Sequence, residues 1–512
     1  MATNIYFGIA LLMASLPAFA TVIVVDSTVT DPFFTDACTI TSAVLAADTR
    51  TVQGTCPAGS GLDTIVLPSD AVFSFDNGHF GSADNPAALP DIVSDIRFVG
   101  NNAPLLSTLD SCVPSLPTPV HFRWFNVFEG GHLSLSDISL VGGCMLDYQP
   151  GGSIVVDQGA LDLDHTTIRN SFSDRDGGAI YSVASAGIAI RDSSFTGNSV
   201  AVAGSGGAIY SQTETSVDRT YFGANTAYEG SAIYSNFGRL SIVNSTFDGN
   251  ISDSGSAVQA VGPAEISFST FSGNLGAALA SGSETTIVAS ILTAGRGGLP
   301  NSNCKLLDRT GSVPKLTILG STYSDDSSCG AATVVDRSDL DMGVIGNYGG
   351  DTLTIPLLPG SVAIDSVEDC YGVAGPVIVD QRGFPRPAVY GAGCDAGAYE
   401  YDGVDHSPPL QQFGAGDLLL SLEDQTSSDK VSEYTRAGQL VRDIWYPLRS
   451  PSDYGIRGIA ADGLGTFGVF LGTYMPALGR YEVGDDRWSF AVDTGWSVYT
   501  SGGSIAHVGS RW

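Results

Sequence analysis

The chain has 512 residues, 54 acidic and 23 basic, and a net charge of -31 at neutral pH. Such a charge repels nucleic acid and anionic membranes and argues against both as partners. The length exceeds what one compact core supports, so two or more units are expected, and 63 glycines announce many tight turns.

Residues 1–20 read as a signal peptide. Ile5 to Leu16 are mostly apolar, Pro17 ends the run, and Ala18-Phe19-Ala20 is a small-x-small cleavage pattern, although no Lys or Arg precedes it. No later stretch reaches the roughly 18 apolar residues that span a bilayer, so no transmembrane helix is expected after the signal. The expected location is secreted or cell-surface, with outer-membrane association included.

Residues 21–130 are expected to form an N-terminal cap and the first coils of a repeat array. All eight cysteines follow the signal, an even number that favours disulfides in an exported chain. Proximity suggests Cys38 with Cys56, Cys112 with Cys144, Cys304 with Cys329, and Cys370 with Cys394, among the 105 connectivities that eight cysteines allow. No CxxC spacing occurs, which argues against a zinc site.

Residues 131–345 carry the repeats. Phe-x-x-Asn occurs at Phe195–Asn198, Phe222–Asn225, Phe247–Asn250 and Phe271–Asn274. Eight residues before each Asn stands an aliphatic residue: Ile190, Val217, Ile242 and Ile266. With the Asn position substituted, the frame continues upstream through Leu135, Leu140 and Gly143, then Leu163, Ile168 and Ser171. Downstream it continues through Ile287, Leu292 and Gly295, then Ile318, Tyr323 and Asp326. Two apolar columns thus run through eight repeats of about 21 to 31 residues, the length of a solenoid coil. Between them sit Gly177-Gly178-Ala179-Ile180-Tyr181 and Gly206-Gly207-Ala208-Ile209-Tyr210, with weaker copies at 231–234 and 256–258.

Strands this short form no sheet alone, and no helical period separates them. Stacked coils would pair each strand in parallel about 4.8 Å from the next, with Phe inside and Asn laddered at a turn. The expected fold class is therefore all-β, a right-handed parallel β-helix followed by a smaller antiparallel β domain. A leucine-rich horseshoe fails because no LxxLxLxxN series recurs.

The alternating Gly-Gly-Ala-Ile and Phe-x-x-Asn phrases, over residues 150 to 295, resemble the repeats of the chlamydial polymorphic outer membrane proteins and their bacterial relatives. That resemblance implies the β-helical body of a surface adhesin. Cys38-Thr39-Ile40, Cys56 and Asp63-Thr64-Ile65-Val66-Leu67 resemble a degenerate CSLREA-type segment. Thr39 and Ile40 stand where that family has Ser-Leu, and its Arg-Glu pair is missing.

Residues 346–404 hold Gly346-Asn347-Tyr348-Gly349-Gly350, Leu358-Pro359-Gly360-Ser361-Val362-Ala363-Ile364-Asp365, Asp380-Gln381-Arg382-Gly383 and Cys394-Asp395-Ala396-Gly397-Ala398-Tyr399-Glu400. They resemble the choice-of-anchor Q segment that closes exported β-helix proteins. Such a segment is expected to cap the open helix end, with Asp380 and Arg382 paired inside it.

Asp405 to Pro409 read as a linker. Residues 405–512 then show β-branched and aromatic runs with short turns such as Arg436-Ala437-Gly438, similar to two blades of a β-propeller. Two blades cannot close a propeller of four to eight, so a truncated propeller is expected, with a small sandwich as the alternative.

The fold also hosts pectate lyases and polygalacturonases, so residues must decide on catalysis. Lys305, Lys315 and Lys430 are the only lysines for a lyase base. Asp174-Arg175-Asp176 has suitable residue types for calcium and a base but reads as a solvated turn. Asp162 and Asp164 flank inward Leu163 and point outward, a carbohydrate or cation contact; Asp325-Asp326 lacks a visible partner for hydrolysis. His121, His132 and His165 show no metal spacing.

No catalytic, cofactor-binding or metal-ligating residue is assigned, and no cofactor is expected. The reading is a non-catalytic surface or secreted protein for adhesion, carbohydrate contact or surface structure, with polysaccharide or cell-surface components as partners. A polysaccharide lyase or glycoside hydrolase on the same scaffold is the alternative, and a helical stalk for the C-terminal domain a third.

Overall fold

The computed structural model describes residues 20–404 and 406, except 31–35, 70, 83–84, 108–111, 113–120, 294–301, 309–313 and 390–391, together with the backbone of seven strands between 418 and 491. The expected signal peptide apart from Ala20, most of the expected linker at 405–409, Gly295 and the expected turn at 436–438 lie outside the described residues.

A strand of three to five residues must find partners in the next coil. Gly187–Arg191, Thr215–Asp218, Leu240–Val243, Ala264–Ser267, Glu284–Val288 and Lys315–Leu319 pair in parallel, each with the next. The strip continues upstream through Ala160–Asp164, His132–Val141, Asp95–Ser107 and Asp63–Val66 to Val22–Val24. A 20-stranded sheet results, and a 12-stranded sheet completes the coils. The architecture is a parallel β-helix.

Register places the aliphatic column in a single file from Ile23 through Ile65, Phe98, Leu135, Leu163, Ile190, Val217, Ile242, Ile266 and Ile287 to Ile318. Every member but Ile318 is buried. The second file runs Leu140, Ile168, Phe195, Phe222, Phe247, Phe271 and Leu292. The four Phe rings stack nearly parallel, 5.0, 4.8 and 4.6 Å between centroids, the spacing the strands impose.

Tyr323 corrects the expected eighth member of this file. It pairs with Ile291, and Ser324 takes the place beside Leu292. This coil has one more residue between its two strands, around Gly320 at φ 60°. Tyr323 therefore faces outward, and its hydroxyl donates to the Val362 carbonyl at 3.0 Å.

The asparagines form the expected ladder. Asn198, Asn225 and Asn250 each donate from Nδ2 to Oδ1 of the next Asn at 2.9–3.0 Å. Each Nδ2 also donates to the carbonyl of the apolar residue one coil back. Between the two strands every coil bends at a residue of positive φ: Asp137, His165, Asp192, Arg219, Asn244, Phe268 and Ala289. That conformation costs a non-glycine residue about 1 kcal/mol or more. A hydroxyl ladder one residue later holds it: Ser193, Ser245, Ser269 and Ser290 accept from the preceding coil's backbone N–H.

In the second sheet Ile154, Ile180, Ile209, Ile233, Val258 and Leu279 align inward. Outward of them Tyr181, Tyr210 and Tyr234 stack at 5.1 Å. The Gly-Gly phrase exists because the coils touch there: a Cβ on Gly178 would lie 2.1 Å from the Gly207 carbonyl oxygen, and one on Gly207 2.2 Å from that of Ser231.

The N-terminal coils are closed by a helix, Ile40–Thr49, that the repeat pattern did not announce. Thr39 caps it by accepting from Ser42 N–H, and the Cys38–Cys56 disulfide ties its start. The other three expected disulfides are also present.

At the far end Thr333–Val334 adds a last rung, and Cys329 and Ala332 join the interior core, held by Cys304. The 337–404 segment lies along the flank instead of over this end. Leu340, Tyr348, Leu357, Val367 and Tyr399 cover the outward Phe268, Val288, Ile291 and Tyr323. Those apolar outer residues are the physical reason the segment docks on the side. Asp380 and Arg382 pair within it as expected, at 2.7 Å and fully buried.

Beyond it, Leu418–Leu422, Lys430–Tyr434 and Leu440–Trp445 form one antiparallel sheet. Ile456–Ala461, Thr466–Leu471, Ala477–Glu482 and Arg487–Ala491 form another. Among the described residues no helix is long and apolar enough to cross a membrane.

Candidate functional site

The first strip presents two outward rows, because alternate residues of each strand face away from the core. One row is Asp162, Ala189, Ser216 and Ser241; the other is Asp164, Arg191, Asp218 and Val243. The hairpin of Tyr371–Gly372 and Gly375–Pro376, continued by Val377, Ile378 and Val379, stands opposite. Between them lies an open cleft of about 640 Å³. Asn244, at a corner, lines it while almost wholly buried; its Nδ2 donates to the Val379 carbonyl, and its Oδ1 has no partner.

The cleft's edge is a charged ladder along the corner column. Arg219 donates through Nε and Nη2 to both oxygens of Asp192 at 2.7 and 2.6 Å, and through Nη1 to Asp218 at 2.7 Å. The Asp192 bonds raise the Arg219 pKa further, against the opposing effect of burial. Burial pushes Asp218 up, opposed by the Arg219 charge.

His165 meets Asp164 through Nδ1 and Asp351 of the flanking segment through Nε2, both at 3.2 Å. Burial works against its protonation, but the charges of Asp164, Asp192 and Asp351 together outweigh it and hold its pKa above the ordinary value. Asp351, Asp192, Asp137 and Asn102 also line a smaller recess of about 250 Å³.

Asp162 and Asp164 point outward as expected, and Asp162 meets His132 at 2.8 Å. Ligand atoms of Asp164, His165 and Asp192 lie within 4.8 Å of one another, a cation-compatible grouping that sequence reading missed. Asp192 belongs to the next coil, so only the coil-length spacing from His165 could have signalled it. In this arrangement Arg219 satisfies both Asp192 oxygens.

The remaining candidates lie elsewhere. Asp174 accepts from Tyr148 N–H and Asp176 from Ser205 N–H, both at 2.9 Å, so this triplet holds a different corner together. Asp325 and Asp326 accept from Asn303 at 2.7 and 2.8 Å in the terminal turn. His121 lies 3.9 Å from Asp147, Lys305 donates to the Ser254 carbonyl, and Lys315 faces Glu284. The Lys430 side chain lies outside the described residues.

Residues 192–212 match the family model described as the Chlamydia polymorphic membrane protein (Chlamydia_PMP) repeat. The match runs from the corner Asp192 through the Phe195–Asn198 turn to the Gly-Gly-Ala-Ile-Tyr strand of one coil. No curated protein and no solved structure matches the chain.

Proposed function

We propose that the protein is a surface-exposed, adhesin-like β-helix that binds without catalysis, its partners being polysaccharides or cell-surface components. The repeat match at residues 192–212 carries this reading, because it falls on the coil at the centre of the ladder. Four disulfides fit an oxidising, extracellular setting. The N-terminal signal and the CSLREA-like and choice-of-anchor-like segments belong to the same reading, as does the propeller-like C-terminal domain.

The alternative is polysaccharide cleavage. Asp164 and Asp192 approach each other closely enough to suggest it. Yet a glycosidase uses both carboxylates of its pair, one as acid and the other as base or nucleophile, and both oxygens of Asp192 already accept from Arg219. Two measurements test the proposal. Intact cells making the full chain, treated with protease, should lose it from their surface. The purified protein, incubated with acidic and neutral polysaccharides with and without calcium, should release no reducing ends or unsaturated sugars. Full protection from protease overturns the surface reading, and released sugar ends overturn the non-catalytic one.

A further inference from the structure

Resting on the surface reading, of which the N-terminal signal is part, we infer that Asp63 receives a new amino terminus. Cleavage between Ala20 and Thr21 frees an α-ammonium that pairs with the buried Asp63 carboxylate and locks the first rung of the β-helix. The inference starts from Asp63, which has no exposed surface. Its Oδ1 accepts from the backbone N–H of Thr21 at 3.1 Å and of Ser60 at 3.0 Å, and its Oδ2 from Ser60 at 3.1 Å and Gly61 at 3.4 Å. All these donors are neutral amides, and among the described residues no Lys, Arg or His side chain pairs with Asp63. A buried carboxylate is costly unless a positive charge compensates it.

The fold holds the carboxylate in place. Asp63 opens the strand Asp63–Val66, which pairs in parallel with Val22–Val24. Gly59, tied by its N–H to the Ala46 carbonyl of the helix, leaves room for it: a Cβ there would lie 2.4 Å from Asp63 Oδ2 and 2.6 Å from Ala47 Cα. Thr21 is fixed in turn. Its N–H faces Asp63, its hydroxyl meets that of Ser60 at 2.7 Å, and its carbonyl accepts from Thr64 N–H at 2.8 Å. Ala20, one residue earlier, is exposed. Among the described residues, the contacts that build the first rung begin at Thr21, the residue that follows the Ala18-Phe19-Ala20 pattern.

Cleavage changes the chemistry at the Thr21 nitrogen. Water, delivered by a signal peptidase, adds across the Ala20–Thr21 peptide bond. Ala20 leaves with a carboxylate, and the Thr21 nitrogen becomes an amine that takes a proton. An amide with one N–H gives way to an ammonium with three, at hydrogen-bond distance from an anion. Such a charge-assisted bond is roughly twice as strong as the neutral one. Any residue left ahead of Thr21 keeps the nitrogen neutral and the carboxylate uncompensated. The first rung is therefore completed only in the processed chain.

The test begins with the amino-terminal sequence of the exported protein, which should start at Thr21. Three forms are then compared by hydrogen exchange: one starting at Thr21, one keeping Ala18-Phe19-Ala20, and one starting at Thr21 with its α-amine acetylated. Thr64 and Val25 report on the rung, because their N–H groups donate to the Thr21 and Val66 carbonyls. Their protection should be about tenfold higher in the first form than in the other two. Asp63→Asn should abolish that difference. Where this variant fails to fold, the acetylated form decides, since it keeps Asp63 and removes only the charge. Equal protection in all three forms, or a difference that survives Asp63→Asn, overturns the ion pair. An exported chain that starts at another residue overturns the cleavage assignment. Protease access on intact cells is a separate readout, so failure of the ion pair and failure of the surface reading are told apart.

Discussion

At the scale of single residues, the stack depends on buried groups that use every hydrogen bond they can make. Asn225 Oδ1 accepts from both the backbone N–H and Nδ2 of Asn198, while its own Nδ2 donates to the Phe195 carbonyl and Asn250 Oδ1. Asn225→Ala strands several of these groups, each costing about 1–3 kcal/mol. A large fall in the urea midpoint is expected, and an unchanged midpoint would show the ladder to be incidental. Phe222→Ala should cost about 3–5 kcal/mol by leaving a hole between two stacked rings. Both residues were legible because Phe and Asn keep one spacing in four successive coils. The hydroxyl ladder, five residues before the Asn at Ser193, Ser245 and Ser269, was equally periodic but was masked by the many other Ser and Thr residues. The Asp164–His165–Asp192 grouping was illegible, because its members meet only after one full turn of the coil.

His165 also supplies a pH dependence at this scale. Its folded-state pKa lies above the ordinary 6.5, so its contribution is complete below pH 6.5 and disappears as pH rises through the folded value. Hydrogen-exchange protection near Asp351, measured relative to the base-catalysed intrinsic rate, should therefore fall on the alkaline side, and His165→Gln should flatten that response. The same alkaline fall in the His165→Gln protein would assign it to another group.

At the scale of elements, the 337–404 segment is held by buried charges as well as apolar cover. Arg386 donates to Glu400 at 2.7 Å, and Arg382 lies 3.7 Å above the Tyr399 ring. Burial, and then the Glu400 charge, push Asp395 from 3.8 up to about 7. A raised carboxyl pKa means the folded segment holds a proton that the unfolded chain releases. Its contribution is thus full below pH 3.8 and falls as pH rises through about 7. Thermal unfolding followed from pH 5 to 8 should show this decline, and Asp395→Asn should lessen it.

The segment's docking on the flank was not legible, since nothing in its own residues says which surface it covers; the signal lay in Phe268, Val288 and Ile291, whose outward direction follows only from the register. The Ile40–Thr49 helix had a readable sign, Ile40, Ala43, Val44 and Ala47 on one face, but the strand repeat drew the reading past it. The Cys304–Cys329 bridge closes the last coil. Replacing both cysteines with serine should cost roughly 3 kcal/mol and speed exchange in Lys315–Leu319, leaving the Phe195 coil protected.

At the scale of the whole molecule, the fold is one long stack in which each coil touches its neighbours, so stability is close to a sum of coil and interface contributions. The same stacking turns a sequence period into a flat outer face and sets residues from successive coils side by side in the cleft. The architecture was legible for that reason: a solenoid writes its geometry into its repeat length. What the face binds was less legible, because the hairpin completing the cleft comes from a segment more than a hundred residues downstream.

Paired cysteines test the stack most directly. Ser216 and Ser241 are partners on adjacent coils, within disulfide reach, whereas Ser216 and Glu265 are two coils apart. In the oxidised protein, peptide mapping should find the Ser216→Cys/Ser241→Cys pair linked and the Ser216→Cys/Glu265→Cys pair unlinked. Linkage of the distant pair in preference to the near one would contradict the parallel, in-register coil.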